Sequence, residues 1–369
     1  MSSRIHIAHL TPAYFSPESY VGGGERYVDY IVQALRSVGG FEQCVFSLGK
    51  EDQLFERSGI PVRVLRNEAP SAESVFGYSA ALWRELRGFD LVHIHHSLTV
   101  FGAYSLAIVR SLGIPVVGTD LGGGESELML RERSIELLDG VISISQFAHS
   151  LLGKFFSGPH EVIIGPVNTD LFSPAADAVR DRRSVLCVSR IMPHKGIDRI
   201  VSALPPELSL TVVGRVYHEG YYDLVRRMAA GKNVHFIVDA DDETLLKLYR
   251  TSGLFAQGST ARDIYGNTVA KSELMGLTTL EAMACGLPVV VSDTGSLPEL
   301  VSDPRFGRVF HNAAELASIL RDFGTGAWPE ADAEVLAREY VIEAHGMEAI
   351  GRRLTAFYKT IMTTHSKSR

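Results

Sequence analysis

Cysteine is scarce in this chain of 369 residues, and what there is excludes a disulfide framework. Cys44, Cys187 and Cys285 are odd in number and each sits in an apolar run, the pattern of reduced thiols in a cytosol. Positive charge is also in short supply. With 36 Lys and Arg against 43 Asp and Glu the net charge is −7, which argues against a nucleic-acid partner held through its phosphates. No apolar run approaches the ~20 residues of a membrane-spanning helix. The segment "MSSRIHIAHLTP" enters a strand-like run without the apolar centre of a signal peptide. Repeats and low-complexity tracts are missing as well. The expectation is a soluble, cytoplasmic globular protein, and a hydrophobic content of 46% supplies cores for two domains.

What is present is alternation. Strand-like runs such as "RIHIAHL", "LVHIHH" and "PVVGTD" are separated by helical patterns such as "GGERYVDYIVQALRSVGG", and the second half repeats the scheme from "SVLCVSR" to "PVVVS". Strands alternating with helices predict doubly wound α/β domains with parallel sheets. The stretch "GPVNTDLFSPAADAVRDRR" reads as the boundary between them. The expected domains are residues 1–168, joined by a C-terminal helix at about 347–369, and residues 169–346.

Ligands of open α/β sheets bind beyond the carboxyl ends of the strands, so motifs there carry the chemistry. Gly22, Gly23 and Gly24 follow the first strand and open the first helix; they form either a flexible loop or a backbone cradle for phosphate. In "SRIMPHKGIDR" the cations Arg190 and Lys195 stand at a helix start, a mildly unfavourable place without an anion between them. Strand alternation in "LVHIHHS" puts His93 and His95 on one face and His96 on the other. They read as hydrogen-bonded histidines or as part of a zinc site, although no Cys or carboxylate stands at ligand spacing. Asp239 and Asp241 in "DADD" read as a turn and helix cap before "ETLLKLYRTS", in preference to a metal site. In "SELMGLTTLEAMACGLPVVVSD", Thr278 and Glu281 fit a capping box. Glu273 lies before that helix with no such explanation. Whether Glu281 caps a helix or meets a ligand is open at this level.

Together, Arg190 with Lys195, Glu273-x7-Glu281, the early glycine loop and "DLVHIHH" resemble family 4 glycosyltransferases, retaining enzymes of the GT-B fold. The resemblance covers nearly the whole chain and is most specific in the Glu-x7-Glu segment. It implies two Rossmann-like domains facing a cleft, the first for the acceptor and the second for a nucleotide diphosphate sugar. On this resemblance Arg190 and Lys195 would neutralise the diphosphate, with Gly23 and Gly24 meeting it from the first domain. The amides of Gly276, Leu277 and Thr278 would complete its cradle. Glu281 would accept from the ribose hydroxyls, and Glu273 would lie against the donor sugar. His95 matches the family's active-site histidine, and Asp120 and Glu125 in "TDLGGGESE" are candidate acceptor contacts.

The implied reaction is a metal-independent, retaining front-face transfer of a sugar to a small-molecule or glycan acceptor, in carbohydrate or natural-product biosynthesis. No cofactor is expected beyond the nucleotide sugar as co-substrate. A GT-B epimerase or hydrolase and a non-catalytic nucleotide-sugar binding protein are the alternatives. One departure stands out. The loop "GSTARDIYGNTVAKSE" is about ten residues longer than the family pattern, and long loops beside sites carry specificity.

Overall fold

The computed structural model describes residues 4–15, 22–71, 73–122 and 128–367, of Leu128 the backbone alone. The chain divides into two compact units, Met1–Pro166 with Met347–Arg369, and Val167–Gly346.

The first unit is built on strands β1 (Ile5–Leu10), β2 (Phe41–Gly49), β3 (Gln53–Arg57), β4 (Ile60–Arg66), β5 (Leu91–His95), β6 (Val116–Thr119), β7 (Gly140–Ser143) and β8 (His160–Val162). They form one sheet in the order β3-β4-β2-β1-β5-β6-β7-β8. The pairing is parallel except for β3, which runs antiparallel to β4. Strand order reverses between β1 and β5, which pair directly, so the ligand crevice expected of such sheets opens beyond His9 and His95. The helix Gly23–Val38 buries Val28, Ile31 and Leu35 on one face. The last helix, Met347–Lys367, lies against it and buries Leu354, Tyr358 and Ile361. A Cβ on Gly351 would stand 2.2 Å from Ala34 O, so the absent side chain lets these backbones meet. Each such buried side chain contributes roughly 1.5–3 kcal/mol. The chain thus returns from the second unit to complete the first.

The second unit carries β9 (Asp181–Val188), β10 (Ser209–Val213), β11 (Val234–Ile237), β12 (Ser252–Gln257), β13 (Val289–Ser292) and β14 (Gly307–Phe310). The order is β11-β10-β9-β12-β13-β14, parallel throughout. β12 and β13 are buried at every residue, as strands covered on both faces must be. Here the order reverses between β9 and β12, which brings the Arg190 loop and the Glu273 loop to one crevice.

Three local expectations are corrected. β3 and β14 are short strands that the hydrophobic pattern does not reveal, β3 because it is an exposed edge. The capping box at Thr278 does not form. The helix is Leu277–Ala284, and its N-cap is Gly276 with φ 77° and no side-chain cap. The left-handed glycine starts the helix early, so Glu281 lies inside it. Asp241, by contrast, is the N-cap of the helix Asp242–Thr251, accepting from the Thr244 amide at 2.8 Å. The three cysteines are free and buried. Among the described residues no helix is long and apolar enough to cross a membrane.

Candidate functional site

In the second unit the sheet reversal places two loops side by side. Gly196, with φ 61°, would put a Cβ 1.9 Å from Gly258 O, so only glycine lets the loop after β9 touch the end of β12. That contact delivers Lys195 to Glu273. Its Nζ lies 2.9 Å from Glu273 Oε2, and both side chains are 11% exposed. The same oxygen accepts from Gln257 Nε2 at 2.6 Å and Ser259 Oγ at 2.9 Å. Thr279 Oγ in turn donates to Gln257 Oε1 at 2.6 Å, tying the cluster to the helix start. Burial would raise the Glu273 pKa, but the Lys195 ammonium and the hydrogen bonds from Lys195 and Ser259 outweigh it and hold the carboxyl below its ordinary value.

Arg190 is exposed, pairs with no carboxylate among the described residues, and lies with its guanidinium 5.3 Å from the Tyr217 ring centroid. Between the two cations sits His194. Burial pushes its pKa down, and the charges of Lys195 and Arg190 push it further, to about 4, against Glu273 and Asp263. Burial, reinforced by the charges of Lys195 and Arg190, thus keeps this histidine neutral at a strand's carboxyl edge. The amides of Gly276, Leu277 and Thr278 begin the adjacent helix, whose first N–H groups have no intrahelical acceptor.

Glu281 is 2% exposed, and its Oε2 accepts from the Tyr249 hydroxyl at 3.1 Å. The long loop after β12 is an ordered hairpin. Arg262 and Thr268 form an antiparallel bridge, and Asp263 accepts from the amides of Tyr265 and Asn267, each at 2.9 Å.

In the first unit Gly22 donates its N–H to Glu25 at 2.8 Å. A Cβ on Gly24 would stand 2.9 Å from His96 Nε2, whereas Gly23 faces open space. Gly24 thus makes room for His96, whose own φ is 56° and whose Nδ1 meets Gly122 O at 2.9 Å. Burial lowers the His96 pKa against the opposing effects of Glu25, Gly122 O and Asp120.

His95 points inward and is 0% exposed. Its Nε2 meets His9 Nδ1 at 3.2 Å, and His9 Nε2 meets Gln43 Oε1 at 3.1 Å. His93, whose ring centroid is 4.0 Å from that of His95, bonds Tyr358 and Thr119, each at 2.7 Å. One nitrogen of each imidazole falls within 4.8 Å of the others. Hydrogen bonds occupy both nitrogens of His9 and of His93, so the hydrogen-bonded reading describes the trio better than a metal site. His95 Nδ1 is the exception, buried with no partner among the described residues. Asp120 is 8% exposed and accepts from the Gly122 amide at 3.1 Å. Glu125 lies outside the described residues.

The structure therefore joins Lys195 to Glu273 and sets Arg190 beside them. Gln257, Ser259 and His194 were missed from sequence, whereas His96 takes the hydrogen-bonded reading. The signal for the first two was a polar pair ending an otherwise apolar strand, "LFAQGS".

A family profile described as glycosyl transferases group 1 matches residues 170–324, and one described as glycosyltransferase family 4 matches residues 21–171. The chain is 31% identical over 196 residues to a GDP-mannose-dependent alpha-(1-6)-phosphatidylinositol monomannoside mannosyltransferase of Mycolicibacterium smegmatis, covering 46% of this chain and 48% of that one. It is 27% identical over 303 residues to a D-inositol 3-phosphate glycosyltransferase of Segniliparus rotundus, covering 69% and 64%. The chain thus spans 48% and 64% of the lengths of these two curated relatives. Its structure is similar to that of a sucrose-phosphate synthase from Thermosynechococcus elongatus, with TM-score 0.76, 23% identity and coverage of 98% and 100%. It is likewise similar to Anabaena HepE in complex with UDP and glucose, with TM-score 0.73, 19% identity and coverage of 97% and 100%.

Proposed function

We propose, for a chain that belongs to the group 1 glycosyltransferases of family 4 and has the GT-B fold, the transfer of a sugar from a nucleotide diphosphate sugar to a small-molecule or glycan acceptor. One observation carries the reading. Arg190 and Lys195 converge at the switch point of the second sheet, beside a helix N-terminus and a carboxylate held ionised. Such a site has the charge for a diphosphate and an acceptor for a sugar hydroxyl. None of the hydrogen bonds from Lys195, Gln257 and Ser259 uses Glu273 Oε1, so that oxygen is assigned to the donor sugar. Gly276, Leu277 and Thr278 are assigned to the phosphates and Glu281, at the floor, to the ribose.

In the first unit, Gly23 and Gly24 are assigned to the phosphates, Asp120 and Glu125 to the acceptor, and His95 to the reacting sugar. The unpartnered His95 Nδ1 costs about 1–3 kcal/mol, which a substrate hydroxyl would offset. Because the imidazole is covered, that contact needs movement at the strand ends. Arg190 and Lys195 supply the field that a metal supplies in other transferases, so the reaction is assigned no metal.

Calorimetry with UDP, GDP, ADP and dTDP tests the site. Arg190→Ala should weaken binding of the preferred diphosphate by about tenfold or more, and equal affinity would remove the phosphate assignment. Turnover that survives EDTA supports metal independence, whereas loss restored by magnesium or manganese overturns it. Diphosphate release that depends on acceptor separates a transferase from a hydrolase or epimerase.

A further inference from the structure

The hairpin that lengthens the loop after β12 ends against an aromatic surface. Tyr265, at its tip, stacks on His218, with ring centroids 5.8 Å apart and planes 23° apart. His218 is the N-cap of the helix Glu219–Met228, and its Nδ1 accepts the Tyr221 amide at 3.0 Å, which fixes the ring. Tyr217 precedes it and carries the Arg190 guanidinium over its face.

These side chains stand on rigid backbone. Ile191 N–H donates to Arg215 O at 2.8 Å and Tyr217 N–H to Ile191 O at 3.1 Å, locking the Arg190 loop to Tyr217. Thr260 N–H donates to His194 O at 2.9 Å, locking the hairpin base to the same loop. The Asp263 carboxylate, taking the Tyr265 and Asn267 amides, sets the tip. Yet the rings are not buried: Tyr217 is 55% and Tyr265 49% exposed, and the neighbouring Ile264 is 45% exposed. Solvent-facing rings on ordered backbone, beside a cation with no carboxylate partner among the described residues, offer a surface on which a flat ligand can stack.

We propose that Tyr217, His218 and Tyr265 form a ledge on which the nucleobase of the donor stacks, and that the inserted hairpin is thereby a determinant of donor choice. The proposal rests on the assignment of the diphosphate to Arg190 and Lys195. Arg190 joins the two halves of the ligand. It is the exposed cation for the phosphate, and it also lies over the ring of Tyr217. A nucleoside diphosphate seated on Arg190 carries its base within reach of that ring. Stacking on aromatic faces tolerates any base and contributes about 1–3 kcal/mol per base. Selection among bases then falls to the polar edges of the ledge, the Tyr265 hydroxyl and the His218 Nε2.

The test compares a ligand with a base to one without. Calorimetry is run on the parent, Tyr217→Ala, Tyr265→Ala and Tyr265→Phe, with UDP, GDP, ADP, dTDP and inorganic pyrophosphate. Tyr217→Ala is expected to weaken the preferred nucleoside diphosphate about tenfold or more and to leave pyrophosphate unchanged. Tyr265→Ala should weaken it in the same direction, and Tyr265→Phe should restore affinity while altering the ranking of bases. Equal loss for pyrophosphate and nucleoside diphosphate, or no loss for either, overturns the ledge. Arg190→Ala with parental pyrophosphate affinity would instead remove the diphosphate assignment, and the ledge with it.

Discussion

Lys195 Nζ and Glu273 Oε2 stand 2.9 Å apart, joining residues 78 positions apart in the chain at the reversal of the second sheet. The pair is nearly buried, and removing one partner of such a pair costs about 3–5 kcal/mol because the other charge is left uncompensated. Glu273→Gln keeps the shape and removes the charge. It should lower the denaturant midpoint markedly, and Lys195→Met combined with Glu273→Gln should recover much of the loss. Additive effects in that cycle would show that the two charges are not coupled.

Gly196 offers a separate handle on the same geometry. Alanine there meets both a left-handed backbone and a carbonyl oxygen at 1.9 Å, so the loop must retreat from Gly258. Lys195, the preceding residue, moves with it. Gly196→Ala should reduce diphosphate affinity by more than its loss of thermal stability accounts for, as read by calorimetry well below Tm. Parental affinity in a folded variant would detach Lys195 from the ligand.

Much of this was legible in the sequence because the strands are apolar and regular and the glycines punctuate them. The two doubly wound sheets, the cations after β9 and the isolated Glu273 follow from period and position. The rest depends on tertiary contact. Gln257 and Ser259 become site residues only when Glu273 folds back onto the strand end they occupy. Glu281 looked like a cap until Gly276 opened the helix early. The edge strand β3 has too little buried surface to leave a pattern, and Tyr265 meets His218 only when the hairpin folds back.

Acid should weaken the first unit over a defined window. Burial lowers the His9 pKa from 6.5 to about 4, against the Gln43 hydrogen bond, and burial together with neighbouring histidines lowers His93 and His95 well below 6.5. Each folded pKa is depressed, so the stabilisation is fully present above the unfolded value of 6.5. It is lost as pH falls from there through about 4 for His9, and further down for the other two. For His9 alone the full shift is worth about 3 kcal/mol. Urea midpoints should therefore drop steeply between pH 7 and 5, above the range where ordinary carboxylates titrate. His9→Gln should flatten that slope, and an unchanged slope would mean that the trio is hydrated or protonated in the native state.

His95 and His96 divide two roles that variants can separate. The unpartnered Nδ1 of His95 is assigned to the reacting sugar, while His96 fills the space beside Gly24 and bonds Gly122 O. His95→Ala should lower kcat by about a hundredfold with little change in KM, the mark of a contact made in the transition state. His96→Ala should chiefly raise KM, through a loosened glycine loop. The reverse pattern would assign the reacting sugar to His96.

The stereochemical outcome follows from which side of the donor sugar Glu273 occupies. Double displacement needs a carboxylate nucleophile on the face opposite the leaving group. Glu273 is tied through Oε2 to Lys195, the cation assigned to that leaving group, so it shares the phosphate's side. Three donors on Oε2 also make it a poor nucleophile, since the ion pair and two hydrogen bonds draw charge away from Oε1, the oxygen that would attack. The reaction expected is front-face attack, with the departing phosphate taking the acceptor's proton as the new glycosidic bond forms. NMR of the first-formed product should show the donor's anomeric configuration retained. Intact-mass spectra of the parent and of Glu273→Gln during turnover should show no glycosylated enzyme. An inverted centre would overturn retention, and a sugar covalently bound to Glu273 would replace front-face attack with double displacement.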